Sequence, residues 1–411
     1  MPEVGLRSLV GDASERIVGF CQRLLQAASL SGQERQAADL LVSELHALGY
    51  PQATVDGAGN VLACLPGTRG RLSGGPNRTL LLHAHMDVVD PGDPTRWRHP
   101  PFSGDRAEGY LWGRGASDTK GSLAAQVYAL GLLSEAGLRP SGDVYLAAVV
   151  GEEVGGLGTR HLVRSLVPDL AIIGEPSGNT LRRGHRGKLE FVVTLRGRSA
   201  HASAPERGLN PHYSMARFLL ALRGAQMVRD DTFGASSVAP TLSYVDQTSS
   251  NVIPSEVTVH LDWRNVPGEA AEQARALVER LAREAAEAGI AIRIAFRQDT
   301  VRSYTGQEQV IPSVFPSFCL EQGDPDLLRA QAVLEVALGR RMPAGVWTFA
   351  TDGGHLAMAG TRCIGFGPGE EAMAHVLDER LQVEQLLEAT VGYMALALNL
   401  VGSESECPRM S

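Results

Sequence analysis

The chain has 411 residues, 44% hydrophobic and 20% charged, with a formal net charge of -8. That length exceeds one ordinary core and predicts two domains of a globular protein. The acidic balance excludes a general nucleic-acid binder, because no basic surplus exists to neutralise phosphates. At the N-terminus no basic segment precedes an apolar core, so no signal peptide is expected. In the residues that follow, Ile17, Phe20, Leu24 and Leu25 share one face of a helix. Ser31 and Glu34 have capping-box spacing ahead of a second helix, "QAADLLVSELHALG". "NVLACLP" and "TLLLHAHMD" read as strands, and "SLAAQVYALGLLSEAG" as a helix with a broad apolar face. "GDVYLAAVVGEE" and "DLAIIGEP" are buried strands running into loops. This alternation predicts an α/β domain with a largely parallel sheet.

From residue 188 to 303 the rhythm changes. A strand, "KLEFVVTLRG", precedes a helix, "NPHYSMARFLLALRG". Two strands without a helix between them, "TLSYVDQ" and "EVTVHLDWR", come next. A helix with Ala274, Leu277, Val278, Leu281 and Ala285 on one stripe leads to a closing strand, "IAIRIAFRQ". The order βαββαβ is the ferredoxin-like split unit. The reading is a discontinuous first domain, residues 1–187 and 304–411, interrupted by a module at 188–303. The last segment holds a helix, "DLLRAQAVLEVALG", a strand, "RCIGFGPG", and a long helix, "VEQLLEATVGYMALALNL". Residues 402–411 are expected to fray. No apolar run approaches the ~20 residues of a membrane span. Cysteines 21, 64, 319, 363 and 407 lack CxxC spacing, which predicts free thiols and a cytoplasmic setting.

Titratable residues collect at the predicted strand ends. His83, His85 and Asp87 alternate along "LLLHAHMDVVD" and so face one side. Asp118 lies in the glycine-rich "GRGASDTKGS" before a helix. Glu152 and Glu153 follow one buried strand, and Glu175 follows the next. Ligands of open α/β sheets gather outside the carboxyl ends of strands. Buried carboxylates need partners, and bases are sparse in these motifs, so a metal centre is the economical solution. Histidine, a bridging aspartate, further carboxylates and a second histidine would complete a two-zinc site. Neighbouring side chains diverge, so one of Glu152 and Glu153 could bind metal while the other acts as general base. Asp87, two residues after His85, suits an orienting role on the other ring N–H.

Together, "HMDVV", "GRGASDTKGS", "GEEVGG", "GEPS", "SAHAS" and "GPGEEAMAHVLDE" resemble the co-catalytic zinc amidohydrolases. That family includes acetylornithine deacetylase, succinyl-diaminopimelate desuccinylase, aminoacylase and glutamate carboxypeptidase. The resemblance covers nearly the whole chain. It implies a zinc-peptidase-like α/β domain with an inserted ferredoxin-like lid and dimerisation domain. It implies His85, Asp118, Glu153, Glu175 and His375 as ligands of two Zn2+ per subunit, with Co2+ a substitute and Asp118 bridging. It further implies Glu152 as general base, Asp87 as orienting acid and a cis Asp118–Thr119 peptide. His201 would polarise the scissile carbonyl, in dimeric relatives from the other subunit, while Asn251 and Arg264 would hold a substrate carboxylate.

The expected activity is hydrolysis of the amide bond of an N-acyl amino acid by a homodimer. Dipeptidase, carboxypeptidase and a silent ligand-binding homologue are the alternatives. "TDGGHLAMAG" resembles the desuccinylases' substrate loop, but the arginine expected there for succinate is missing, with Gly354 or His355 near its place. A barrel-type amidohydrolase would require later metal histidines where this chain has glutamates. A phosphate loop would require Gly-Lys-Ser/Thr, whereas the order here is Lys120-Gly121-Ser122. His83 is read as a packing residue, and His185 and His355 as residues that could touch ligand.

Overall fold

The computed structural model describes residues 3–402. Its larger sheet is built around Leu80–His85, six residues that are all buried. Val144–Val149 and Leu170–Ile173 flank this strand in parallel, with His85 opposite Val149 and His83 opposite Ile173. Such strands are apolar throughout because both faces of the sheet are covered. Leu80, Leu82 and Ala84 pack into the main core. Leu81 points the other way, toward Leu162, Trp347 and Leu356. His83 and His85 therefore share the Leu81 side by strand alternation.

Helix Gly121–Glu135 contacts Val383–Asn399 over the main-core face. It is buried on every side from Gly121 to Leu133, which goes beyond the broad apolar face expected. Antiparallel Val61–Leu65 extends one side of the sheet, outside Val144–Val149. Arg362–Gly365 pairs parallel with Leu170–Ile173 on the other.

The smaller sheet runs in the order Ser237–Val245, Glu256–Arg264, Lys188–Arg196 and Ala291–Phe296, all antiparallel. Helices Pro211–Arg223 and Ala271–Ala285 supply Met215, Phe218, Ala274 and Val278 to its core. Those side chains meet alternate residues of the strands: Leu189, Phe191, Val193 and Leu195, then Val257, Val259, Leu261 and Trp263. The chain order of these elements is βαββαβ.

A fifth strand, Val314–Phe315, pairs with Lys188 and Leu189, past the end of the pairing of Ala291–Phe296 with the same strand. It lies beyond residue 303. Between them the hairpin Gln298–Arg302 and Glu308–Pro312 sends Val301 and Ile311 into the main core. The chain therefore leaves the smaller sheet for this separate hairpin, returns to it at Val314–Phe315 and then joins the larger sheet at Phe318–Cys319.

The expected capping box is not formed. The helix after this pair, the third of the chain, begins at Arg35, following a Glu34 that makes no side-chain cap bond. Glu34 instead accepts from Gly32 N, and the Ser31 hydroxyl is committed to Asp87. Four described cysteines (21, 64, 319 and 363) are unpaired thiols. Cys407 and residues 403–411 lie outside the described residues. Among the described residues no helix is long and apolar enough to cross a membrane.

Candidate metal centre

The carboxyl ends of three adjacent parallel strands meet here. His85 is the last residue of its strand. Glu152 and Glu153 follow Val149, and Glu175 follows Ile173. Asp118 enters from the turn before helix Gly121–Glu135, and His375 from the loop before Arg380–Gln382. The two oxygens of Asp118 face different histidines: Oδ1 lies 2.9 Å from His85 Nε2, and Oδ2 lies 3.2 Å from His375 Nε2. Glu175 Oε1 is 3.7 Å from His85 Nε2, and Glu153 Oε1 is 3.0 Å from His375 Nε2. Two triads result, His85–Asp118–Glu175 and Asp118–Glu153–His375, each with its donor atoms within 4.8 Å of one another. Asp118 belongs to both.

The fold fixes each donor. His85 Nδ1 lies 2.9 Å from the backbone carbonyl of Asp87. A proton on Nδ1 satisfies that carbonyl and leaves the Nε2 lone pair toward the carboxylates. The orienting contact was expected from the Asp87 carboxylate, but its Oδ1 is 3.6 Å away from the ring nitrogen. That carboxylate serves other donors. It accepts from Glu152 N at 3.1 Å, Glu153 N at 3.2 Å and Ser31 Oγ at 2.7 Å, so it shapes the turn carrying both glutamates. Thr119 Oγ1 donates to His85 O and accepts from His85 N, tying the Asp118 turn to the strand end. The Asp118–Thr119 peptide is cis.

Negative charge exceeds positive in this space. Burial, followed by the field of Asp352, raises Glu152 well above the carboxylate range. Glu175 is raised by burial and by Asp118, and Glu153 by the same two causes. Burial opposes charge on His85, but the hydrogen bond to Asp118 and the fields of Glu175 and Asp87 outweigh it and raise its pKa well above the usual value. Hydrogen bonds donated by its ring to Asp118 and Glu153 push His375 up to about 10. Buried carboxylates crowded in this way ask for cations. Each triad offers one imidazole nitrogen and two carboxylate oxygens, a donor set that suits a divalent cation with a position left open.

Comparison with known proteins fits this geometry. Residues 81–399 match the model of peptidase family M20/M25/M40. The chain belongs to that family. A relative described as succinyl-diaminopimelate desuccinylase from Cereibacter sphaeroides is 31% identical over 387 residues, covering 90% of this chain and 94% of that one. Among solved structures, the aminopeptidase PepT of Bacillus cereus superposes with a TM-score of 0.70 at 21% identity, covering 93% of this chain and 98% of its own. The YXEP protein of Bacillus subtilis, described as a dinuclear metal binding peptidase of the M20 family, gives 0.70 at 16% identity, with coverages of 94% and 98%. At such identities the structural likeness concerns the fold.

Within this M20 chain the other expected site residues stand apart from the donors. His201 is exposed and its Nδ1 lies 2.7 Å from Ser203 Oγ. Asn251 is exposed and accepts from Ser249 Oγ. Arg264 pairs with Asp262 at 2.6 Å. None of the three makes a hydrogen bond or ion pair with the five clustered donors. Glu152 is buried beside the triads, and its side chain makes no hydrogen bond among the described residues.

His83 contacts Thr159 Oγ1 at 2.7 Å, away from both triads. His185 is a core histidine that accepts from Thr351 N. His355 is buried with neither ring nitrogen partnered.

Sequence reasoning passed over Glu379, which holds the turn of Asp118, the aspartate common to both triads. Fully buried, it accepts from Ser117 N and Asp118 N on Oε1, each at 3.0 Å. Its Oε2 accepts from Arg114 Nη1 at 2.7 Å and Gly115 N at 3.0 Å. It lies four residues after His375, inside a motif quoted for that histidine. Its proximity to a buried arginine 265 residues away leaves no local sign.

Proposed function

We propose that the protein is a metal-dependent hydrolase that cleaves the amide bond of an N-acyl amino acid, using two zinc ions. The observation that carries this reading is the pair of donor triads sharing Asp118, with the uncommitted Glu152 carboxylate beside them. The desuccinylase relative supports the substrate class. In this reading His85, Asp118 and Glu175 hold one ion, and Asp118, Glu153 and His375 hold the other. When bound, such ions polarise a carbonyl and bring the pKa of water near 7. Glu152 takes the proton of the attacking water and returns it to the leaving nitrogen. Asp87 fixes the peptide that aims Glu152, through the backbone N–H bond at 3.1 Å.

The smaller sheet, with residues 188–303 as its main span, acts as lid and dimerisation domain. Tyr213 and Leu220 on helix Pro211–Arg223 are 63% and 67% exposed, and Leu242 and Tyr244 on the edge strand Ser237–Val245 are 50% and 52% exposed. An unpaired strand edge beside exposed apolar side chains is what a second copy would cover. His201, Asn251 and Arg264 would then meet substrate across that dimer. Sedimentation velocity tests the assembly: a dimer is expected, and a monomer at micromolar concentration would remove this part of the reading.

The test of activity is an assay of N-acetyl amino acids, N-succinyl-diaminopimelate and dipeptides with zinc or cobalt. Turnover of N-acyl amino acids is expected. Turnover of dipeptides alone would replace the reading with a dipeptidase. Bound metal without turnover on any of them would indicate a silent ligand-binding homologue.

A further inference from the structure

Outside the two triads, one fully buried carboxylate has no part in the mechanism above. Asp352 precedes the short helix Gly353–Met358 and is 0% exposed. Its Oδ2 accepts from Thr159 Oγ1 at 2.6 Å. That bond uses the single hydroxyl proton of Thr159, so His83 Nε2 is the donor to Thr159 Oγ1, at 2.7 Å. The carboxylate has little else. Among the described residues its Oδ1 has no hydrogen-bond partner, no Lys or Arg stands within ion-pair distance, and His83 Nε2 is 3.8 Å from Oδ2. One hydroxyl does not offset the burial of a carboxylate, which costs several kcal/mol when unpaired. Stability alone therefore does not account for an acid at this position.

Its surroundings point to the general base. Thr159 lies on helix Leu157–Leu162, which follows directly on the turn of Glu152 and Glu153. Asp352 Oδ1 lies against Gly156 of that turn, where a Cβ would stand 2.5 Å from Oδ1 and 2.9 Å from His355 Nε2. Gly156 has a φ of 72°, in the left-handed region that favours glycine. The turn closes through Gly155 N to Glu152 O at 3.1 Å and Gly156 N to Gly151 O at 2.9 Å. Asp87 holds its near end, at Glu152 N and Glu153 N. Asp352 meets its far end, at Gly156 and Thr159. Through His83 the same contact reaches the strand that ends in His85. Among the surrounding charges, that of Asp352 acts most strongly on Glu152. The loop carrying Asp352 is itself fixed: Thr351 N donates to His185 Nε2, and Gly353 N to Thr351 Oγ1, each at 3.1 Å.

We infer that Asp352 is a positioning residue of the hydrolytic centre. Through Thr159 and Gly156 it fixes the far end of the turn whose near end Asp87 holds, and so sets where Glu152 stands relative to the metal triads. It acts by hydrogen bond and contact, and takes no proton in the reaction. This inference deepens the amide-hydrolase reading above and rests on it.

The experiment reads the turn and the reaction separately. Zinc-loaded full chains of the wild type, Asp352→Ala, Asp352→Asn, Thr159→Val and Thr159→Ser are compared by amide hydrogen exchange and by turnover on the panel of N-acyl amino acids and dipeptides. In Asp352→Ala and Thr159→Val the amides of Gly155 to Gly158 should exchange at least about tenfold faster. Those of Ser117 and Asp118, held by Glu379, should keep their wild-type rates. In the same two proteins kcat should fall about 10–100-fold, as for a misplaced catalytic group, with KM and zinc content unchanged. Asp352→Asn can still accept from Thr159, and Thr159→Ser can still donate, so each should recover most of the loss. Wild-type exchange at Gly155 to Gly158, or exchange that rises equally at Ser117 and Asp118, overturns the inference. So does an unchanged kcat in Asp352→Ala and Thr159→Val, or an Asp352→Asn protein as slow as Asp352→Ala, which would assign the effect to charge. A wild-type protein that hydrolyses nothing in the panel, with a turn that still loosens in Asp352→Ala, would sink the hydrolase reading and leave Asp352 as the anchor of the turn.

Discussion

Replacing Glu379 tests how Asp118, the aspartate common to both triads, is held. The Glu379 carboxylate receives four N–H donors, two on each oxygen, and one of them is the guanidinium of Arg114, itself only 3% exposed. Glu379→Gln keeps the volume but halves the acceptors. The amide oxygen can serve only one pair of donors, and the NH2 group must then confront the other pair. Two buried donors lose their partner, at about 1–3 kcal/mol for each unsatisfied group, so the substitution should cost roughly 2–6 kcal/mol. Glu379→Ala leaves Arg114 as an uncompensated buried charge, which typically costs about 3–5 kcal/mol alone, and it also releases the Gly115, Ser117 and Asp118 amides.

Because those amides carry Asp118, metal affinity should fall with stability. A decrease of about 10–100-fold is the usual effect of losing a group that orients a ligand. Urea unfolding of the metal-free protein measures the first quantity, and competition with a chromophoric chelator measures the second. A Glu379→Gln protein with wild-type midpoint and wild-type metal affinity would refute the reasoning.

Three further outcomes are expected. Glu152→Gln should retain metal and lower kcat by about 10²–10⁴-fold, the usual range for a general base; kcat within a factor of three of wild type would assign the proton transfer elsewhere. Gly354→Arg should destabilise the protein without creating desuccinylase activity, because its Cβ would press on the Pro316 carbonyl; a stable variant with new activity on N-succinyl-diaminopimelate would show that the loop has room. Asp326 resists burial through Arg78 and Arg362, and its pKa is held below the usual carboxylate value. A depressed folded-state pKa gives stability that is present above the unfolded value of about 3.9 and lost as pH falls through the folded one. Asp326→Asn should therefore be less stable than wild type at neutral pH, with the gap narrowing on acidification below about pH 4; a gap constant from pH 7 to 3 would contradict the pairing.

Much of this molecule was legible because its chemistry sits where the backbone pattern changes. His85, Glu152, Glu153 and Glu175 stand out because each interrupts an apolar strand at its carboxyl end. Asp118 is marked by the glycines of its turn. The six elements of the smaller sheet have strong periodicity, and helix Ala271–Ala285 buries Ala274, Val278, Leu281 and Ala285 from its predicted stripe. Contacts through the backbone left no such mark. Ser31 has the spacing of a helix cap, yet its hydroxyl is drawn to Asp87, 56 residues away. The strand Val314–Phe315 is two residues long and carries no period that a sequence could display. Asp87 was expected to work through its carboxylate, whereas its carbonyl does the orienting and the carboxylate builds a turn. A single residue can serve both tasks only in three dimensions.

The central claim is tested most directly by crystallising the zinc-loaded protein and collecting anomalous diffraction at the zinc edge. Two peaks are predicted, one among His85, Asp118 and Glu175 and the other among Asp118, Glu153 and His375, with a different oxygen of Asp118 on each. A single peak, or zinc bound away from Asp118, would contradict the account.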